Sequence, residues 1–124
     1  MTYDERKAQV KSFLGKVIEI EIDRPLGFEY HKQGYSLVYD VNYGYVPGVV
    51  GGDGRDLDVY LLGVHEPVER YTCKIIGIVH RRDDVEDKLV AAPVGKRYTK
   101  EAMEHKIYFQ ERYFDSYVEP LEEF

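Results

Sequence analysis

Within Lys16-Val17-Ile18-Glu19-Ile20-Glu21-Ile22-Asp23, residues 18–23 alternate strictly between apolar and polar. Period two is the mark of a strand, because successive side chains leave opposite faces. Ile18, Ile20 and Ile22 share one face, and Glu19, Glu21 and Asp23 share the other, wet and acidic one. Pro25-Leu26-Gly27 ends the strand. Toward the N-terminus, residues 2–14 predict a short helix. Thr2 and Glu5 stand at capping-box spacing, Val10, Phe13 and Leu14 make an apolar patch, and Gly15 suits the stop. Toward the C-terminus, residues 26–36 read as loop around Gly27 and Gly34, and residues 36–39 as a short strand. Gly44, Pro47, Gly48, Gly51, Gly52 and Gly54 make the next stretch turn-rich. Residues 57–62 and 74–80 are short apolar runs in which periodicity leaves helix and strand both open. Their shortness and β-branched content decide for strand. Residues 81–87 read as a charged turn and 88–92 as another strand. Thr99 can cap a final helix from Lys100 to about Phe114, with Ala102, Met103, Ile107, Phe109, Tyr113 and Phe114 near helical spacing. The order is helix, several short strands with glycine-rich turns, then helix. It predicts a mainly β chain with some α, folded as a small barrel. Periodicity does not say which barrel.

The composition narrows the function. The chain has 124 residues and reads as a single domain over 1–124. Its formal net charge of -6 argues against nucleic acid and anionic membranes, which call for a basic face. It suits a site built from carboxylates around cations. No apolar run approaches the roughly 18 residues that span a bilayer. The opening Met-Thr-Tyr-Asp-Glu-Arg is polar and acidic, unlike a secretory signal. The one cysteine, Cys73, excludes an intramolecular disulfide and reads as a core residue. A cytoplasmic location is expected.

Three stretches carry candidate chemistry. Asp53-Gly54-Arg55-Asp56-Leu57-Asp58-Val59 places three carboxylates within six residues. They repel one another unless cations sit between them, and hard divalent cations favour oxygen ligands. On a strand, Asp56 and Asp58 share a face. The plain alternative is a solvated acidic hairpin. Asp83-Asp84-Val85-Glu86-Asp87-Lys88 is a second acidic group, either a charged hairpin tip or the other half of a metal site. Tyr39-Asp40-Val41-Asn42-Tyr43-Gly44-Tyr45 holds three tyrosines that serve either as core with hydroxyls at the rim or as donors to phosphate.

Asn42-Tyr43-Gly44-Tyr45-Val46-Pro47 followed by Asp53-Gly54 and Leu57-Asp58-Val59 resembles the signature of family I soluble inorganic pyrophosphatases. That family shows Tyr-Pro-x-Asn-Tyr-Gly-Tyr/Phe-Ile-Pro and then Asp-Gly-Asp-Pro-Leu-Asp-Val, and the spacing between the blocks matches without a gap. Downstream, Gly77, Asp83, Glu86 or Asp87, and Lys88-Leu89-Val90-Ala91 resemble the family's Gly-…-Asp-…-Asp-x-Lys-Leu-Val-Ala segment. Residues 109–114 resemble its C-terminal Phe-Phe-x-x-Tyr-Lys. The resemblance runs from about Val17 to Tyr113. It implies a small OB-like β-barrel of short strands with a flanking C-terminal helix, and a Mg²⁺-dependent (or Mn²⁺-dependent) hydrolase of pyrophosphate or a related phosphoanhydride. A homo-oligomer is expected. By the same resemblance Asp53 and Asp58 ligate metal, with Asp83 and either Glu86 or Asp87. Lys88 and Tyr113 fall on phosphate-binding positions, Tyr43 near the attacking water, and Glu21 on an early strand glutamate.

Departures are equally specific. The family's middle aspartate, associated with activating the attacking water, is Arg55 here. Arginine stays protonated and serves better as a phosphate ligand than as a base. Asp56, in place of the family's proline, is then a candidate base if it points inward. The lysine after the C-terminal tyrosine is Phe114. The arginine upstream of the tyrosine block has no direct match, and Arg24, His31 and Lys32 are candidates to replace it. The alternatives to a pyrophosphatase are a hydrolase of another phosphoanhydride, a catalytically weak metal- and phosphate-binding domain, and a barrel module binding nucleic acid or oligosaccharide.

Overall fold

Thr2 opens the first helix, α1 (Tyr3–Ser12), by accepting a hydrogen bond from the Glu5 amide at 3.2 Å. This satisfies one of the helix's orphan donors. Eight strands and two further helices follow in the computed structural model, which describes residues 2–51, 54–83 and 86–122. They are β1 (Val17–Arg24), β2 (Glu29–Lys32), β3 (Tyr35–Val38), β4 (Asn42–Val50), β5 (Asp56–Leu61), β6 (Arg70–Arg81), β7 (Asp87–Ala92), α2 (Lys100–Lys106), α3 (Tyr108–Glu111) and β8 (Ser116–Pro120).

The main sheet runs β1-β4-β5-β7-β6, and β6 pairs back onto β1, closing a five-stranded barrel. All contacts are antiparallel except β5 with β7. The length of β6 allows the closure. Its first residues, Arg70–Lys74, pair with β1, while Gly77–Arg81 pair with β8. Alternation then divides the strand residues into two cores. Ile20, Val46, Leu57, Val59, Leu61, Ile75, Ile78, Leu89 and Ala91 pack together with Val10 of α1. These come from all five barrel strands and fill the barrel. Tyr43, Tyr60, Val79, Val90 and Ala92 pack instead with Leu37, Met103, Ile107 and Val118. That second core lies outside the barrel, beneath β3, β8 and the C-terminal helices. Strand β7 is buried along its whole length because both cores use it.

Three expectations need correction. Residues 26–36 are not all loop, since Glu29–Lys32 and Tyr35–Val38 form an antiparallel hairpin. The strand expected at 36–39 falls on β3, but most of the hairpin's residues are exposed, so no buried stripe betrays β2. The glycine-rich stretch holds strand β4 from Asn42 to Val50. Gly44 is required there because a Cβ would fall 1.8 Å from the Glu21 carbonyl oxygen of β1. A register shift between Tyr45 and Val50 absorbs the bend at Pro47 and Gly48. The expected helix from Lys100 to about Phe114 breaks at Ile107, where φ is -100° and ψ is 1°. It yields two short helices and then β8, a strand not foreseen.

Candidate active site

Asp58 and Tyr60 leave β5 on the outer face of the barrel, opposite to Leu57, Val59 and Leu61. On the neighbouring strands Tyr43 and Lys88 take the same face. Tyr43 and Asp58 stand diagonally across the β4–β5 ladder, where Tyr45 faces Asp58 and Tyr43 faces Tyr60. The Tyr43 hydroxyl donates to Asp58 Oδ2 at 2.7 Å. Lys88 Nζ donates to the Tyr43 hydroxyl at 2.6 Å, to Asp58 Oδ2 at 2.9 Å and to Glu86 Oε1 at 2.6 Å. An ammonium has three protons, so these bonds use them all.

Arg81, at the end of β6, holds the other Glu86 oxygen through Nη1 at 3.1 Å. Its Nε and Nη2 grip Glu111 at 3.0 and 2.7 Å, a two-pronged bond. Both side chains are 4% exposed. Burial works against the Arg81 charge, but the bonds and charge of Glu111 prevail and hold the guanidinium above its ordinary pKa. The Tyr60 hydroxyl also donates to Glu111, and Gln110 donates to that hydroxyl at 2.6 Å. Burial raises the Tyr43 and Tyr60 hydroxyls well above the ordinary tyrosine value, aided by the charges of Asp58 and Glu111 nearby. Both stay protonated and act as neutral hydrogen-bonding groups. The ring of Phe114 lies under Arg81, 3.5 Å from the guanidinium carbon. Arg24 donates to the Tyr39 hydroxyl and lies over the Tyr30 ring at 4.5 Å.

These groups line one cleft of about 440 Å³, formed by Arg24, Tyr43, Asp58, Arg81, Lys88 and Gln110 with Tyr35, Leu37, Tyr113 and Phe114. Lys88 and Arg81 meet the carboxylates Asp58, Glu86 and Glu111, and Arg24 is the third cation on the wall. Asp23 at the end of β1 adds an acidic lip. Burial, and then the charges of Asp58 and Asp56, raise its carboxyl above the ordinary value, although a backbone bond and Arg24 oppose this.

Of the residues singled out in the sequence, Asp58, Glu86, Lys88, Tyr43 and Tyr113 come together here, as does Arg24. Asp56 opens β5 and is exposed on the Asp58 face; Arg55 is exposed just before it. Asp53 lies outside the described residues. Others go elsewhere. Asp87 points the opposite way from Glu86 and Lys88, as strand alternation demands, and bonds Lys7 of α1 at 2.8 Å. Asp83 is exposed, and its Oδ2 accepts from the Asp115 amide at 3.2 Å. Glu21 faces Arg70 at 4.0 Å, outside the cleft lining. Arg81, Glu111 and Gln110 were missed. Arg81 sat inside the expected charged turn, and the latter two inside the expected helix, so only strand and helix ends bring them in. Among the described residues no three histidine, cysteine, aspartate or glutamate side chains could together hold a metal ion.

The family model described as inorganic pyrophosphatase matches residues 14–121. The inorganic pyrophosphatase of Rickettsia conorii is 25% identical over 112 residues, covering 77% of this chain and 65% of that protein. That of Xylella fastidiosa is 30% identical over 88 residues, covering 66% of this chain and 49% of that protein. The chain therefore spans about half to two thirds of the length of these relatives. Among solved structures, the inorganic pyrophosphatase from Ehrlichia chaffeensis superposes with a TM-score of 0.66 at 18% identity, covering 87% of this chain and 88% of that one. The one from Coxiella burnetii gives 0.60 at 20% identity, with 86% of each chain covered. These two likenesses carry the barrel fold, and the family match carries the lineage: this chain belongs to the inorganic pyrophosphatase family.

Proposed function

We propose that this chain hydrolyses inorganic pyrophosphate at the Lys88 cleft, with Mg²⁺ as cofactor and Mn²⁺ as a substitute. The observation that carries the reading is the hub formed by Lys88, Tyr43, Asp58 and Glu86, beside the anchored guanidinium of Arg81. Such a hub exchanges carboxylate partners for phosphate oxygens without new side chains being ordered. Lys88 and Arg81 bind the phosphates, Arg81 with a plane already fixed by Glu111. Arg24 adds a third cation on the cleft wall. Tyr43 offers its neutral hydroxyl, which orients a water molecule or a phosphate oxygen. Tyr113, which lines the cleft, is a further proposed substrate contact, and Arg55 at the head of β5 a further proposed phosphate ligand. Asp56, on the Asp58 face, is the proposed acceptor of the water's proton.

The donor chemistry fits a hard divalent cation. Asp58, Glu86 and Asp56 offer only oxygen, the donor type that hard divalent cations favour. With Asp23 at the lip, the carboxylates Asp58, Glu86, Glu111 and Asp23 outnumber the cations Arg24, Arg81 and Lys88, so a polyanion needs added positive charge to bind. Asp58 and Asp53 are the proposed ligands, with Glu86 joining once Lys88 turns to the phosphate. A bound divalent ion acidifies water and neutralises charge on the phosphates.

Phosphate release from pyrophosphate tests this. Activity should need Mg²⁺ or Mn²⁺, and Lys88→Met should lower kcat/KM by roughly 10²-fold, as loss of one fixed transition-state donor does. Absence of phosphate release with either metal would overturn the proposal.

A further inference from the structure

The cleft is larger and more aromatic than a bare pyrophosphate can use. Its volume of about 440 Å³ falls within the ~300–1,000 Å³ of sites for drug-sized ligands. Beside the polar floor, the same cavity is lined by Tyr35 and Leu37 of β3 and by Tyr113 and Phe114 after α3. Phe114 is occupied by Arg81 and Leu37 by the outer core. Tyr35 and Tyr113 have lighter cover, Tyr30 beside Tyr35 with centroids 6.1 Å apart and the Arg112 guanidinium over the Tyr113 ring at 5.0 Å. They remain 42% and 51% exposed, with ring centroids 5.6 Å apart and planes tilted by 50°. The hairpin does not need Tyr35 for anchorage, because Leu37 and Tyr30 pack on the outer core. Two partly exposed aromatic rings on the wall of a phosphate-binding cleft suit a flat ring attached to phosphates. They do not suit a long flexible hydrocarbon, which would call for an enclosed apolar channel.

We propose that the cleft also takes a nucleoside 5′-diphosphate, its base stacked on the Tyr35–Tyr113 pair and its phosphates on Arg81 and Lys88. This rests on the cleft being a phosphoanhydride hydrolase. In the reaction, the water oxygen bonds to the β-phosphorus and the bridging P–O bond breaks. The electron pair of that bond leaves on the nucleoside monophosphate. One proton of the water stays on inorganic phosphate and the other is released to the medium.

The test compares ADP, pyrophosphate and geranyl diphosphate with Mg²⁺, by phosphate release and by calorimetric binding of ADP. A stacked base is worth enough that Tyr35→Ala should lower the ratio of ADP to pyrophosphate kcat/KM about tenfold. Tyr35→Phe should restore that ratio, since the ring and not the hydroxyl does the stacking. Pyrophosphate turnover with no ADP turnover or binding overturns this inference and leaves the proposed function standing. ADP binding weakened about tenfold by Tyr35→Ala, with no turnover of any compound, supports the nucleoside site and removes the hydrolase reading. An unchanged ratio in Tyr35→Ala, or preference for geranyl diphosphate over ADP, overturns the inference.

Discussion

Asparagine in place of Asp87 should loosen helix α1 from the barrel and leave the cleft intact. Asp87 is 3% exposed and bonds Lys7 Nζ through both oxygens, at 2.9 and 2.8 Å. His80 Nδ1 lies 3.4 Å from the same carboxylate, and His80 Nε2 meets Glu119 at 2.9 Å. Lys11 approaches Glu119 at 3.4 Å. Removing one partner of a buried ion pair costs ~3–5 kcal/mol. Lys7, 33% exposed, regains water when its partner goes, which reduces the expected loss to about 2 kcal/mol. For a chain of this size that is a fall in Tm of roughly 8 °C. The effect also has a pH signature. Burial opposes the Asp87 charge, but bonds from His80 and Lys7 lower its pKa. Its contribution is present above the ordinary carboxylate value and is lost as pH falls through the folded one. His80 is raised, first by its bond to Asp87. Its contribution is complete below about pH 6.5 and fades as pH rises through the folded value. The gap between wild type and Asp87→Asn should therefore be widest at about pH 5–6 and narrow toward alkaline pH. Calorimetric melts across that range, with pyrophosphate assays at temperatures where both proteins are folded, make the measurement. Turnover should persist in Asp87→Asn and collapse in Glu86→Gln. An unchanged Tm, a gap independent of pH, or lost turnover in the folded Asp87→Asn protein would refute the reasoning.

Gly44→Ala should prevent folding or cost more than about 4 kcal/mol, because the added carbon meets backbone of β1 that cannot yield; a soluble variant with wild-type Tm would contradict the close approach of β1 and β4. Saturating Mg²⁺ should stabilise the protein by about 2.7 kcal/mol at a hundredfold excess over its Kd, and Asp58→Asn should remove most of that gain; identical melts with and without Mg²⁺ would exclude a metal site. Cys73 is fully buried and its thiol is pushed up to about 12 by burial. It should resist a disulfide reagent in the native protein and react once denaturant is added, and rapid reaction of the folded protein would place it elsewhere.

Much of the barrel was legible in the chain itself. Strict alternation at residues 18–23 announced strand β1, because burying one face of a strand writes period two into the sequence, and the shortness and β-branched content of the runs at 57–62 and 74–80 announced β5 and β6. The tyrosine and aspartate blocks announced the family, and the family resemblance singled out Tyr43, Asp58 and Lys88, which line one cleft. Elements with little buried surface left no such trace. Strand β2 is mostly exposed and was missed, unlike β3, where a strand was expected at 36–39; β8 has one buried residue, Val118, and β4 carries glycines for contact rather than for turns. The choice between Glu86 and Asp87 was likewise open in the sequence, since two adjacent acids look alike along a chain. Strand direction separates them: Glu86 shares a face with Lys88, and Asp87 turns to Lys7 on α1. The pairing of Arg81 with Glu111 joins residues 30 apart. Periodicity records only which way a side chain leaves its own element, so which distant side chains meet was decided by the closed barrel and the helices folded against it.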